Sequence, residues 1–187
     1  MKYKLIIGST FLIMLAACNN ESQTSEKKNT TAAPVNTNVA SESPLNGLVS
    51  AYLNLKNALA NDDAKLAASA SGDISAELKK IDTGSLDVNS KKAFLAVADD
   101  LKEHSNHIAT NAGDIEHQRR HFDEMSGDMY DLVKASKTGQ KLYKDFCPMY
   151  NKQQGAIWLS ETKDIKNPYM GKNMAECGEV QEEIPAK

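Results

Sequence analysis

The sequence lacks the short motifs by which most enzyme classes are recognised. It contains no glycine-rich phosphate loop, no nucleophile elbow and no zinc-protease motif. A Cys-x-x-Cys redox pair and a Cys-x-x-Cys-His haem attachment site are also missing. Catalysis is therefore unsupported, and we expect a binding or structural protein.

Basic clusters and membrane-spanning apolar runs are missing too. The net charge is -3, and no block of Lys and Arg suits nucleic acid. The apolar run from Leu5 to Leu15 is too short to cross a bilayer. With Lys2 and Lys4 before it and small residues after it, this run predicts a secretory signal peptide over residues 1–17.

Cys18 follows Leu15-Ala16-Ala17, and this segment resembles a bacterial lipobox, in which the cysteine is lipidated and becomes the mature N-terminus. Asn19 replaces the aspartate that, by resemblance to enterobacterial lipoproteins, retains a protein at the inner membrane. We therefore expect a periplasm-facing lipoprotein of the outer membrane, attached through Cys18. The polar composition up to residue 43 predicts a flexible tether over 18–43.

The remaining residues, 44–187, have the usual length of one domain. Apolar residues at helical spacing predict a helix over 45–69, and Gly72 with Asp73 as N-cap predicts a short second helix. Two further helices, over 89–111 and 114–137, are separated by Asn111-Ala112-Gly113-Asp114, which is typical of a helix end followed by an N-cap. The expected fold is all-α, an antiparallel helical bundle of three long helices and a short one over 44–137.

Residues 138–187 have no long run of apolar residues at helical spacing, because Pro, Gly, Cys and aromatic residues interrupt the pattern. They predict an irregular C-terminal cap on the bundle. Trp158 and Tyr169 are expected to anchor this cap by burying large side chains. Arg119 and Arg120 are typical of a helix surface, although either could bridge a nearby carboxylate.

Potential metal ligands crowd into one window, from His104 to Cys177. It holds all four histidines of the chain, five of its methionines and two of its three cysteines. Thioether, thiolate and imidazole are the ligands that select copper(I) and related ions over harder ones. The window therefore predicts metal handling, with copper as the expected ion.

The histidines form two pairs at helical spacing. His117 and His121 are four residues apart and share one helix face. His104 and His107 lie at the end of the preceding helix, so a reversal at Gly113 would bring all four together. In one continuous helix His107 and His117 would lie about 15 Å apart. The helical hairpin therefore decides whether a histidine site exists.

The sulfur residues of the cap leave two interpretations open. Cys147 and Cys177 can form a disulfide, which by chain-entropy scaling would contribute about 3.5 kcal/mol. They can instead act as thiolates that bind a soft cation together with Met149, Met170 or Met174. Met125 continues the stripe of His117 and His121 but falls on the apolar face, so core packing is expected for it.

Several motifs together resemble the uncharacterised family known as domain of unknown function 3347. In the helices they are Tyr52-Leu53, Lys56-Asn57-Ala58-Leu59, Ile115-Glu116-His117-Gln118-Arg119, His121-Phe122, Ser126 and Leu132-Val133-Lys134. In the cap they are Cys147-Pro148-Met149, Trp158-Leu159-Ser160, Asn167-Pro168-Tyr169, Gly171, Met174 and Cys177-Gly178. The resemblance is expected to cover nearly the whole folded part.

This resemblance implies a helical bundle with a cysteine-bearing cap, and an association with heavy-metal export, because the family also occurs fused to heavy-metal efflux adaptor proteins. It implies no established activity. Among the candidate ligands it favours those that fall within the family-like motifs over His104 and His107; they are His117 and His121 on a helix face, and Cys147, Met149, Met174 and Cys177 in the cap. This chain differs from the fused forms in having its own lipobox and no adaptor segments.

The leading hypothesis is a lipid-anchored envelope protein that binds copper for sequestration or for transfer to an efflux system. Its partner would be an efflux adaptor or another envelope protein. The alternative is an interaction module of the envelope, stabilised by the Cys147 to Cys177 disulfide and binding no metal. A weaker alternative is an enzyme that uses His117 or His121 as a base.

Overall fold

The computed structural model of the chain describes residues 43–186. The predicted signal peptide, the lipidation site at Cys18 and nearly all of the tether lie outside the described residues. Four long helices occupy the first part of the domain. They are α1 (Asn46–Ala60), α2 (Ala64–Lys80), α3 (Val88–Thr110) and α4 (Ile115–Ala135).

The prediction of one helix over 45–69 followed by a short one was wrong. The chain breaks at residues 61–63, where Asp62 has a left-handed φ of 56°. Asp63, not Asp73, is the N-cap: its carboxylate accepts a hydrogen bond of 2.9 Å from the Leu66 amide. Gly72 and Asp73 lie inside α2. The bundle therefore has four long helices and no short one.

The two aspartates provide a matched test of this boundary. We expect Asp63→Ala to lower the free energy of unfolding by about 1 kcal/mol, because the first-turn amide of α2 loses its acceptor. The exposed Asp73 caps no helix, so Asp73→Ala should change stability by less than about 0.5 kcal/mol. Urea denaturation of both variants measures the difference, and equal losses would place the cap elsewhere.

The predicted reversal between the third and fourth helices is confirmed. α3 ends at Thr110, and the Asp114 carboxylate caps α4 by accepting a 2.9 Å hydrogen bond from the His117 amide. The Gln118 side chain donates to the backbone oxygens of Ile108 and Ala64, which ties the hairpin end to α2. Positions near the end of α3 and the start of α4 are thereby brought together.

The all-α fold class was wrong for the cap, which contains a three-stranded antiparallel sheet. Its strands are β1 (Leu142–Cys147), β2 (Ala156–Ser160) and β3 (Glu179–Ile184), in the order β2-β1-β3. A short α5 (Tyr150–Gln153) follows β1, and a 3-10 helix (Gly171–Met174) precedes β3. The sequence did not indicate this sheet because β3 is mostly exposed and charged and has no apolar stripe of its own. It becomes a strand by pairing with β1, which is distant in sequence.

The sheet packs on α1 and α4 through large aromatic side chains. Trp158 and Tyr169 are buried, which confirms that both anchor the cap. The Tyr52 hydroxyl lies 2.7 Å from the Ser126 hydroxyl and accepts a 3.1 Å hydrogen bond from the Leu159 amide, so it joins α1, α4 and β2. None of the helices within residues 43–186 is both long and apolar enough to cross a membrane.

Candidate functional site

The four histidines meet at the hairpin end of α3 and α4, and we call them the histidine cluster. The His107 and His121 rings are stacked, with centroids 4.3 Å apart and an interplanar angle of 9°. The His117 and His121 centroids lie 4.6 Å apart, and those of His104 and His121 5.4 Å apart. His121 thus occupies the centre of the cluster, with a neighbour from each of the other three positions.

Two groups of three side chains within the cluster bring ligand atoms close together. His107, His117 and His121 each offer one nitrogen, and these atoms lie within 4.8 Å of one another. His104, His121 and Glu124 meet the same limit. His121 belongs to both groups. One ion in the first group would therefore occupy a ligand that the second group also needs.

The contacts at the edge of the cluster limit which nitrogens carry protons. The Nδ1 atoms of His104 and His121 lie 3.2 Å apart, so one is protonated and donates to the other. His104 Nδ1 also lies 3.3 Å from the Glu124 carboxylate. The contact with His104 occupies the Nδ1 atom of His121, which leaves Nε2 as the other ligand position of this ring.

His117 has a nitrogen that its surroundings leave unpaired. Its Nδ1 lies 3.0 Å from the Arg120 guanidinium, which can only donate. Its Nε2 is buried and has no hydrogen-bond partner. Because Nδ1 accepts from Arg120, a neutral His117 carries its proton on Nε2, so Nε2 can bind a cation only after this proton has moved to Nδ1. A cation at His117 would compete with the exposed Arg120 for this side chain.

The cluster is arranged to keep its central ring uncharged. Burial, followed by the positive charge that His107, His117 and His104 would carry, holds the pKa of His121 below its usual range. A metal ion binds only the unprotonated nitrogen. His121 is therefore in the ligating form near neutral pH.

The ligand set is borderline in character, not soft. Imidazole suits zinc, copper, nickel and iron, with copper(II) the tightest of the divalent series. Metal to nitrogen bonds of about 2.0 to 2.1 Å place neighbouring ligand nitrogens about 3.3 Å apart. The present separations of up to 4.8 Å require ring rotation, which is open to these side chains because none of the three is fully buried.

The cap cysteines are close together but are not joined. Their Sγ atoms lie 3.6 Å apart, well beyond the S–S bond length of about 2.05 Å, and both thiols are free. The expectation of a disulfide-stapled cap is therefore corrected. Burial and then the neighbouring Cys147 raise the pKa of the Cys177 thiol, which keeps it protonated near neutral pH.

The methionines take different positions. Met125 is buried in the core, as the apolar pattern predicted, and Met129 is buried there too. Met149 is exposed at the start of α5, and Met170 is half-buried before the 3-10 helix. Met174 lines a shallow open depression on the cap together with Ala175, Glu176 and Cys177.

Of the six residues that the resemblance favours, two lie in the histidine cluster, His117 and His121, and four lie in the cap, Cys147, Met149, Met174 and Cys177. Within residues 43–186, no group of three His, Cys, Asp or Glu ligands that includes Cys147 or Cys177 meets the distance limit of the histidine groups. The structure brings His104 and His107 next to His117 and His121, although the resemblance favours only the latter pair. Glu124 was missed. Its position three residues after His121 on α4 was the available signal.

Arg119 was also missed, since its pattern was typical of a helix surface. Its guanidinium is buried and donates to the Pro168 oxygen at 2.8 Å and to the Leu59 oxygen at 3.1 Å. It also pairs with Asp62 at 2.6 Å and Glu116 at 2.9 Å. Arg119 therefore joins α4 to the end of α1 and to the cap, next to the histidine cluster along α4.

Comparison with known proteins identifies a family but no function. The family model described as "Protein of unknown function (DUF3347)" matches residues 48–141. This range contains all four histidines and ends one residue before β1, so the cap motifs of the resemblance lie outside it. No curated protein and no solved structure matches the chain.

Proposed function

This chain belongs to the family described as "Protein of unknown function (DUF3347)", and we propose that it binds a borderline divalent metal ion, foremost copper(II), through its histidine cluster. The observation that carries the proposal is the His107, His117 and His121 group, whose three ligand nitrogens lie within 4.8 Å. Three protein ligands leave at least one coordination position open. Such a site can exchange its ion.

The electrostatics of the cluster support this proposal. Four imidazoles in contact would repel one another if protonated, and that repulsion contributes to the low pKa of His121. A cation held by lone pairs replaces the repulsion with attraction. The Glu124 carboxylate beside His104 supplies compensating negative charge. The buried Nε2 of His117 gains a partner once its proton has moved to Nδ1.

Copper(II) is favoured over zinc(II) and nickel(II) by ligand chemistry. The affinity of nitrogen and oxygen donors for divalent first-row metals is highest for copper(II). The cysteines and exposed methionines are separate from this set. The copper expectation from the sequence is therefore kept, but for the oxidised ion at the histidines.

The cellular role that we propose follows from the N-terminal sequence. Lipidation at Cys18 would hold the domain at the outer membrane, on the periplasmic side. There the open coordination position suits sequestration of copper or its transfer to a partner, for which a heavy-metal efflux adaptor is the candidate. The role thus depends on both the anchor and the exchangeable site.

Calorimetric titration with copper(II) tests the proposal. Free thiols reduce copper(II), so the full chain carries Cys18→Ser, Cys147→Ser and Cys177→Ser in this experiment. We expect one ion per chain with a Kd below about 1 μM, and a rise in the melting temperature by mass action. Nickel(II) titration of the unaltered chain checks that the serines do not create the affinity.

The matched control is a double variant, His117→Asn with His121→Asn, in the same background. These side chains are partly exposed, so the fold should persist, as circular dichroism can verify. Binding should fall below detection at about 10 μM ion, because one ligand remains in the first group. Unchanged binding in this variant would contradict the proposal.

A further inference from the structure

The cap brings two free thiols together at a separation that suits a shared metal ion. Cys147 ends β1 and is fully buried, whereas Cys177 is half-buried in the loop before β3. Two sulfurs about 2.3 Å from one ion and 3.6 Å apart subtend about 103° at that ion. This angle leaves room for one or two further ligands.

The loop that carries Cys177 is held by a dedicated polar side chain. The fully buried Asn167 accepts from the amides of Tyr169 at 2.8 Å and Met170 at 2.9 Å through its Oδ1. Its amide group donates to the Cys177 backbone oxygen, and its own backbone amide donates to the Ala175 oxygen at 2.9 Å. The position of Cys177 opposite Cys147 is therefore fixed by the fold.

Met174 lines the same surface depression as Cys177. The Cys177 amide donates to the Met174 oxygen at 3.0 Å, which closes a turn and brings both residues to the same open depression. Met174 remains exposed, which is uncommon for a methionine that only packs. The depression therefore exposes Met174 and Cys177 side by side, and the buried Cys147 sulfur lies 3.6 Å from that of Cys177.

We infer that Cys147, Cys177 and Met174 form a second metal site, separate from the histidine cluster, for a soft monovalent cation of the copper(I) class. Two thiolates and one thioether are the donors that such an ion prefers. The inference goes beyond the proposed function, because its ligands, ion and location all differ. The chain would then hold the two oxidation states of copper at different places.

The binding step releases protons. Each thiol loses its proton as its sulfur binds the ion, so one cation and two thiols give one bound ion and two protons, with no change of oxidation state. Met174 contributes a neutral sulfur and no proton. A value near two protons per ion in weakly buffered solution is therefore the signature of this site.

Anaerobic titration with copper(I) against a coloured copper(I) chelator tests the inference. The probe is the full, reduced chain with Cys18→Ser, which removes the third thiol. We expect one tightly bound ion with release of about two protons, and a loss of at least about 100-fold in affinity for Cys177→Ser. Met174→Leu should lose about tenfold, since one of three sulfurs is removed without change of size.

Two controls separate this site from the histidines. Met149→Leu removes an exposed thioether outside the depression and should leave affinity unchanged. A triple variant, His107→Asn, His117→Asn and His121→Asn, in the same Cys18→Ser chain should keep its copper(I) affinity. Cys147→Ser is buried and could unfold the cap, so the test rests on Cys177→Ser, whose fold is checked by circular dichroism.

Copper(I) affinity that survives in Cys177→Ser, or that disappears in the triple histidine variant, would overturn the inference. The same holds for a reduced wild-type chain that binds copper(I) no tighter than about 1 μM. Failure of the copper(II) experiment alone affects only the histidine cluster. The two proposals therefore fail independently.

Discussion

Replacing His121 with asparagine is expected to weaken copper(II) binding by at least about 100-fold, more than any other single histidine substitution. His121 is the member shared by both ligand groups, and its ring contacts His104, His107 and His117. Within residues 43–186, no other group of three ligands meets the distance limit without it. Calorimetric titration of His121→Asn in the cysteine-free background measures the loss.

His104→Asn is the matched control for this prediction. His104 belongs only to the group with Glu124, so the His107, His117 and His121 nitrogens stay in place. A loss of no more than about tenfold is expected, from the missing contact with His121 Nδ1. If His104→Asn weakened binding as much as His121→Asn, the ion would lie in the second group instead.

Arg119→Met is expected to lower the free energy of unfolding by about 3 kcal/mol. The substitution keeps the apolar stem but leaves the Leu59 and Pro168 oxygens without their donor and Asp62 without its ion pair. Those contacts join α1, α4 and the cap. Urea denaturation followed by the fluorescence of the buried Trp158 reports the loss.

Arg120 is the natural comparison, since it is the next residue of α4 but is exposed. Arg120→Ala should change stability by less than about 0.5 kcal/mol. Similar losses for the two variants would mean that the buried contacts of Arg119 do not stabilise the domain. Of the two arginines, Arg120 is the one that contacts a histidine of the cluster. The comparison therefore distinguishes an effect on stability, expected for Arg119, from an effect on metal binding, expected for Arg120.

The hairpin that assembles the histidines could be predicted because its signals are local. Asn111, Gly113 and Asp114 favour a helix end and a new N-cap through their own backbone and side-chain preferences. Asp114 indeed bonds the amide of His117. Helical spacing then placed His117 with His121, and the reversal added His104 and His107.

The break between α1 and α2 could not be predicted in the same way. Asp62 adopts a left-handed conformation that a non-glycine residue rarely takes alone. Its carboxylate is held there by Arg119 and by the Lys172 amide at 2.9 Å, both distant in sequence. Gly72, at which the sequence predicts the end of the first helix, lies inside α2.

The sheet and the sulfur pair depend on long-range contacts as well. The charged β3 pairs with β1, and the two strands have different patterns of buried and exposed residues. Cys147 and Cys177 come together only through that pairing and the turns held by Asn167. Composition predicted a window of soft-metal ligands, and in the tertiary structure its histidines and its two cysteines lie in separate clusters.

Pulsed EPR of the copper(II)-loaded chain that carries Cys18→Ser, Cys147→Ser and Cys177→Ser tests the histidine site most directly, because it detects the remote nitrogens of imidazoles bound to the ion. The account predicts coupling to at least two imidazoles, reduced in His117→Asn and in His121→Asn and unchanged in Met149→Leu. A copper(II) spectrum without imidazole coupling, or one that these histidine substitutions leave unchanged, would contradict it.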